Sequence, residues 1–227
     1  MSTSYAEIVS EVIRTRYTEK VMIDPAEETG NIDLETEEMN KKRVLDSIET
    51  SGWAPFHYNR GINQIAEPWR AHILWRHEAR KAAQYMQDCL QVKSKEPRLA
   101  AACSALVLIT WLPETSAPGD PLPSSETVGK IVERNEEHLA ASAAMVQNFL
   151  LMLTAHGMGN YWSSGGRFRS QEMFERLSIP DNERLLAAVF IEYPEDKKLQ
   201  IPSKERKPGA QRGSRSLCWI REVNQRV

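Results

Sequence analysis

The sequence predicts an α+β fold, a small central sheet surrounded by helices, one of them long and buried. Three observations carry this expectation. Apolar runs of strand length, Trp69–Trp75, Ala105–Leu112 and Leu185–Tyr193, stand apart in the chain. Around them lie segments whose apolar residues recur at three- and four-residue intervals, the period of a helix with one covered face. Between Ala140 and Leu153 the residues are small or apolar nearly all round, so a helix there has to be buried, under a sheet or against a second subunit. The resulting order is helix, helix, strand, helix, strand, helix, helix, strand. It contains no repeated unit and does not alternate strictly, as an α/β chain would.

Each element has its own justification. In Tyr5–Arg16 the residues Ile8, Val9, Val12 and Ile13 share a helix face. Asp24–Glu38, with Pro25, Gly30 and an acidic excess, reads as an exposed connection to a second helix near Glu38–Trp53. A turn region at Ala54–Glu67 precedes the strand Trp69–Trp75, and a helix follows at His77–Val92. After the buried strand Ala105–Leu112, four prolines between Pro113 and Ser125 make a long loop. Ser125 or Thr127 then opens the longest helix, charged over Lys130–His138, which runs to about His156 and is stopped by Gly157. A short helix at Gln171–Leu177 and the strand Leu185–Tyr193 complete one domain over residues 1–227, with a basic C-terminal extension at 203–227. Alternation at Leu217, Trp219, Arg221 and Val223 allows that extension to add a strand to another chain.

Composition narrows the function. The 227 residues carry 29 basic and 31 acidic side chains, a formal charge of −2, and so lack the cationic footprint of a nucleic-acid binder. The three cysteines, Cys89, Cys103 and Cys218, are an odd, widely spaced set with no close pair and no neighbouring ligand His, which argues against a disulfide framework and a structural zinc site. The N-terminus lacks the basic flank and apolar core of a secretory signal, and the apolar runs are too short to span a bilayer. A cytoplasmic protein with no membrane or nucleic-acid partner is expected.

Four constellations have chemical potential. In Arg16-Tyr17-Thr18-Glu19-Lys20, a guanidinium, a hydroxyl and an ammonium at alternate positions of an extended segment point to one side, an arrangement that can grip a phosphate. The competing reading is a solvated helix end, where Arg14, Arg16 and Lys20 only complement the helix dipole. Trp53-Ala54-Pro55-Phe56-His57-Tyr58-Asn59, followed by Glu67-Pro68-Trp69, offers a wall for a planar ring or mere packing. His57 has no acid or nucleophile spaced to make it a catalytic base. Gly157–Gly166 (GMGNYWSSGG) provides glycines and backbone amides for close approach to a ligand, yet it is not the dinucleotide fingerprint. The tail Ser203–Arg215 is basic, either a solvated loop or an arm reaching a phosphate.

In this order the segments resemble the nitroreductase family of FMN-dependent oxidoreductases. The pieces are RYTEK (Arg16–Lys20), APFHYN (Ala54–Asn59) with EPW (Glu67–Trp69), the helix and turn Ala140–Trp162, and AVFIEYP (Ala188–Pro194). The resemblance implies a homodimer with the long helix at its interface and two FMN sites built from both chains. Arg16, Tyr17, Thr18 and Lys20 would bind FMN, with Arg16 and Thr18 at the phosphate and ribityl chain and Lys20 near N1 and O2. Pro55, Phe56, His57 and Asn59 would line the ring from the partner chain, and Trp162, Ser163, Ser164 and Gly165 would sit at its N5 edge. NADH or NADPH would reduce the flavin at N5 in a ping-pong cycle, and a nitroaromatic, quinone or similar small electron acceptor would reoxidise it. No side chain is implied as a catalytic residue, since the flavin carries the chemistry, and no metal is implied.

The sequence departs from the family pattern in several places. Phe56 replaces the usual Ser, Glu67 stands where Gln is common, and Arg60–Ala66 lengthen that flank. For the basic residue that completes the phosphate site, Arg206 is the choice, with Lys204 and Arg212 as rivals. These departures keep a flavin-dependent dehalogenase or flavin-modifying enzyme of the same fold as an alternative. A non-catalytic flavin-binding or redox-sensing protein is another, and a structural protein without cofactor a third.

Overall fold

The computed structural model describes residues 3–27, 30, 32–115, 125–199, 201, 204–208 and 220–221. In chain order the elements are α1 (Tyr5–Thr15), β1 (Glu19–Met22), α2 (Leu34–Ser51), β2 (Trp69–Trp75), α3 (Arg76–Asp88), α4 (Glu96–Ala102), β3 (Ala105–Trp111) and α5 (Ser125–Ala155). Then come β4 (Gly159–Ser163), a short 3-10 turn (Gly166–Arg169), α6 (Gln171–Leu177), β5 (Arg184–Glu192) and β6 (Glu205–Pro208). The main sheet is antiparallel, in the order β2-β3-β5-β4; a two-stranded antiparallel ribbon, β1-β6, stands beside it. The architecture is the α+β arrangement the sequence implies.

The sheet has a core on each face. Leu106 and Leu108 of β3, with Ala188 and Phe190 of β5, pack under α3, α4, α6 and β1, while Ala105, Val107, Ile109, Ala187, Val189 and Ile191 face α2 and α5. Alternate residues of β3 thus go to opposite faces, and every one is buried except Trp111, which explains its unbroken apolar run. Of the two coverings open to the apolar half of α5, the sheet takes the face formed by Ala141, Met145, Phe149 and Leu153, together with Ser142, Val146 and Leu150. By length and composition α5 could also cross a membrane; here it lies across the sheet. It ends as expected at Gly157, whose φ of 70° lets Met158 N–H reach the Leu153 carbonyl at 2.9 Å.

Several sequence expectations need correction. The second helix starts at Leu34, because the Asp33 carboxylate accepts from the Thr36 N–H at 2.9 Å and caps it; the acidic connection is therefore shorter than Asp24–Glu38. The third helix ends at Asp88. Helix α4 was not anticipated, nor was the ribbon of β1 and β6, part of which falls in the tail read as an extension. Within the glycine-rich Gly157–Gly166 stretch, Gly159–Ser163 forms the edge strand β4. Most of the loop Pro113–Ser125, at residues 116–124, lies outside the described residues, as does most of the proposed strand Leu217–Val223.

Candidate functional site

Helix α1 is closed by the Arg16 N–H donating to the Val12 carbonyl at 3.0 Å, and the chain then turns extended toward β1. The side chains of Arg16, Thr18 and Lys20 are half-buried, and among the described residues none of them has a hydrogen bond or ion pair. Tyr17 points to solvent, its hydroxyl donating to the Glu19 carboxylate at 3.4 Å, and Glu19 also pairs with Lys197 at 3.3 Å. The Lys20 ammonium lies 5.0 Å from the centroid of the Tyr161 ring on β4, and the Lys95 ammonium lies 5.6 Å from the same centroid. A ring face offers each cation about 0.5–1 kcal/mol at an exposed site. The ring thus gathers two ammonium groups at one place on β4 without cancelling their charge.

Strand β6 runs antiparallel to β1, with Arg206 opposite Val21 and Lys207 opposite Lys20. The ladder therefore brings the backbone of Arg206 beside the Arg16–Lys20 segment. Its rival Lys204 is engaged elsewhere: the ammonium is buried against Glu192 at 2.5 Å and donates to the Asp196 carbonyl at 3.4 Å. Arg212 lies outside the described residues.

The end of β4 belongs to the same edge. Trp162 packs on the α2/α5 side, and buried Ser163 accepts the Gly165 N–H on its Oγ at 3.2 Å. Gly165 has φ 100°, and a Cβ there would drive into the Leu185 side chain, so the backbone comes close to β5 only because the residue is glycine. Ser164 is exposed, and its carbonyl accepts from Arg169 Nε.

The segment Pro55–Asn59 lies elsewhere. Phe56 packs edge-on against Trp69, the first residue of β2, at 5.6 Å and 89°, while Pro55, His57 and Asn59 are exposed. Strands β2 and β4 are the two outer strands of the sheet, about 14 Å apart at the usual strand spacing. Within one chain, then, Arg16–Lys20, Trp162–Gly165 and the backbone of Arg206 gather at one edge, and the Pro55–Asn59 loop sits at the other.

Two polar clusters escaped sequence reading. Glu114 takes Arg60 at 3.7 Å, Arg134 at 3.3 Å and His138 at 3.2 Å, and its backbone exchanges hydrogen bonds with Asn135. Burial alone would raise the Glu114 pKa, but the His138 and Arg134 bonds and the guanidinium charges outweigh it and hold the carboxyl below its ordinary value. Arg134 also stands over the Tyr58 ring, so this cluster fixes the aromatic loop to α5. In the second cluster, Glu183 accepts from Thr110 and pairs with His72 at 2.7 Å; again burial is outweighed and its pKa is lowered. Lys95 was missed as well. These partners come from distant parts of the chain, and no spacing in the sequence announces them.

A model of the Nitroreductase family matches residues 33–191. The chain belongs to the nitroreductase family. The chain is 26% identical over 153 residues to the Bacillus subtilis protein named "Putative NAD(P)H nitroreductase YfhC", a match covering 67% of this chain and 73% of that one. Its fold is shared with solved structures. A nitroreductase-like family protein from Bacillus cereus superposes with a TM-score of 0.55 at 18% identity, over 88% of this chain and 98% of that one. A nitroreductase with bound FMN from Bacteroides fragilis gives 0.55 at 15% identity, over 98% and 100%. Nitroreductase CinD from Lactococcus lactis, in complex with nicotinic acid, gives 0.57 at 12% identity, over 95% and 99%. The fold expectation holds, and family membership makes this chain an oxidoreductase.

Proposed function

We propose that this chain is an FMN-dependent NAD(P)H oxidoreductase that works as a cytoplasmic homodimer and reduces nitroaromatic, quinone or similar electron-poor acceptors. One observation carries the reading: the side chains of Arg16, Thr18 and Lys20 are half-buried and have no hydrogen bond or ion pair among the described residues, beside the edge strand β4, where Lys20 stands over Tyr161. The donor set fits FMN. A guanidinium and a hydroxyl suit a phosphate and a ribityl chain, and an ammonium suits the oxygen-rich edge of the ring. Gly165, at φ 100° and packed on Leu185 where a side chain would not fit, holds the turn after β4 tight against the sheet.

In this reading Arg16 and Thr18 hold the phosphate and ribityl groups, and Arg206 adds a second guanidinium from the ladder opposite Val21. Lys20 keeps a fixed positive charge beside the ring, held in place by the Tyr161 face. When bound, FMN supplies hydride transfer, accepting from a nicotinamide donor and delivering to the acceptor in turn. Trp162, Ser163 and Ser164 border the N5 edge with Gly165, whose amide is already turned to Ser163 Oγ. Pro55, Phe56, His57 and Asn59 serve the site of the other subunit, which is supported by their place at the opposite edge of the sheet. A dimer is supported by uncovered apolar side chains: Tyr5, Ile8, Val9 and Ile13 of α1 and Trp53, 88% exposed, after α2.

The visible absorption spectrum tests the reading directly. The purified protein is expected to be yellow and to bleach anaerobically with NADH or NADPH. A colourless preparation that takes up no FMN on titration would sink it.

A further inference from the structure

Arg169 borders two open clefts. One, of about 770 Å3, runs past Trp111 and Phe174 and carries the carboxylates of Glu114, Asp181 and Glu183. The other, of about 570 Å3, lies between the α3–α4 connection and the turn after β4, and no carboxylate lines it. Arg167 and Arg169 share it with the hydroxyls of Ser94 and Ser170, and Leu90 and Val92 supply an aliphatic wall.

Its cations are under-used. Among the described residues, Arg167 Nε is buried without a hydrogen-bond partner, and its Nη2 makes only an exposed pairing with Glu172 at 3.5 Å, of a kind worth little. Arg169 gives Nε to the Ser164 carbonyl, which fixes the guanidinium at the cleft and leaves its terminal nitrogens without a partner among the described residues. Two carboxylates stand near these two cations: Glu172, on Arg167, and the buried Glu96, which occupies the space a Gly166 side chain would need. The cleft has guanidinium groups on one side and an aliphatic wall on the other.

We propose that this cleft binds the adenylate half of a nicotinamide dinucleotide, with phosphate oxygens on Arg167 and Arg169 and the adenine against Leu90 and Val92. Guanidinium forks match phosphate oxygens, and an aliphatic wall suits a flat base. Gly166 lines the cleft and follows Gly165 directly, so the cleft adjoins the proposed flavin edge, within reach of the other end of a donor seated there. The inference rests on the donor role proposed above, since it names where that donor is held.

Calorimetric titration of the full chain with ADP and with inorganic pyrophosphate tests it, alongside ADP inhibition of NADH oxidation. ADP is expected to bind at least tenfold more tightly than pyrophosphate and to raise the KM for NADH with kcat unchanged. Arg167→Gln should weaken ADP binding at least tenfold, and Arg167→Lys, which keeps the charge but not the guanidinium fork, should weaken it less than Arg167→Gln. If Arg167→Gln does not fold, Val92→Glu, which puts a carboxylate into the wall, should abolish ADP binding. An FMN-loaded protein that ignores ADP, binds it no better than pyrophosphate, or binds it unchanged in these variants overturns this inference alone. A protein that takes up no FMN overturns the flavin reading, and the donor role with it.

Discussion

At the scale of single residues, the Arg16–Lys20 segment differs from an ordinary helix end. A solvated terminus would leave Arg16 and Lys20 in water or paired with nearby acids. Instead both are half-buried, while the neighbouring carboxylate of Glu19 turns to Tyr17 and Lys197. Hydrogen bonds to charged groups are worth about 1.5–3 kcal/mol, so Arg16→Ala should weaken FMN binding about 10- to 150-fold. Fluorescence titration of the apoprotein measures this, and unchanged affinity would mean the register is wrong, with Arg14 in that place. Glu114 allows a pH prediction. Its pKa is lowered in the folded chain, so its stabilising contribution is full above the ordinary carboxylate pKa of 4.5 and lost as pH falls through the lowered value. Glu114→Gln should melt below wild type at neutral pH and converge with it toward pH ~3, which a series of thermal melts will show.

Among the elements, the β1-β6 ribbon and the Lys204–Glu192 pair tie the tail to the body. Both charged groups are almost fully buried. Removing one partner of a buried pair costs about 3–5 kcal/mol, because the other charge stays out of water. Lys204→Met should therefore destabilise the fold by about that amount in urea melts, and Lys204→Met combined with Glu192→Leu should recover much of it. This pairing was illegible in sequence, since the two residues only meet once the sheet is built. Strand β2 and helix α6 were legible to the residue, because each is a compact pattern bounded by clear breaks. Helix α4 is seven residues long and almost fully buried, too short to display a period. Strand β4 was hidden by its glycine: Gly159 and Asn160 argue for a turn locally, and only pairing with Glu192 and Ile191 makes them strand. The Arg16–Lys20 segment could be singled out from its residue types. The Lys95 ammonium beside Tyr161 and the Arg167 guanidinium of the second cleft could not, because a lone lysine or arginine in a loop carries no pattern.

For the whole molecule, the distribution of exposed apolar residues matters most. Tyr5 is 89% exposed and no residue of α1 is buried, although the helix has a well-formed capping box at Ser4 and Glu7. A helix capped so carefully and left with its apolar side uncovered makes sense if a second copy covers it. Sedimentation equilibrium should give a dimer. Ile8→Glu with Ile13→Glu should shift it to monomer and at the same time lower FMN retention, since the Pro55–Asn59 loop then has no neighbour to serve. A monomer that holds FMN as well as the wild type would contradict shared sites.

The ribbon also sets an order of events during synthesis. Strand β1 leaves the ribosome long before β6, its ladder partner, is made. Until then Lys20 and its neighbours have a bare strand edge, and contacts so distant in sequence form late. Any ligand gripped by both strands can enter only once β6 has been made and paired, so cofactor loading would wait for the ladder instead of accompanying the synthesis of β1.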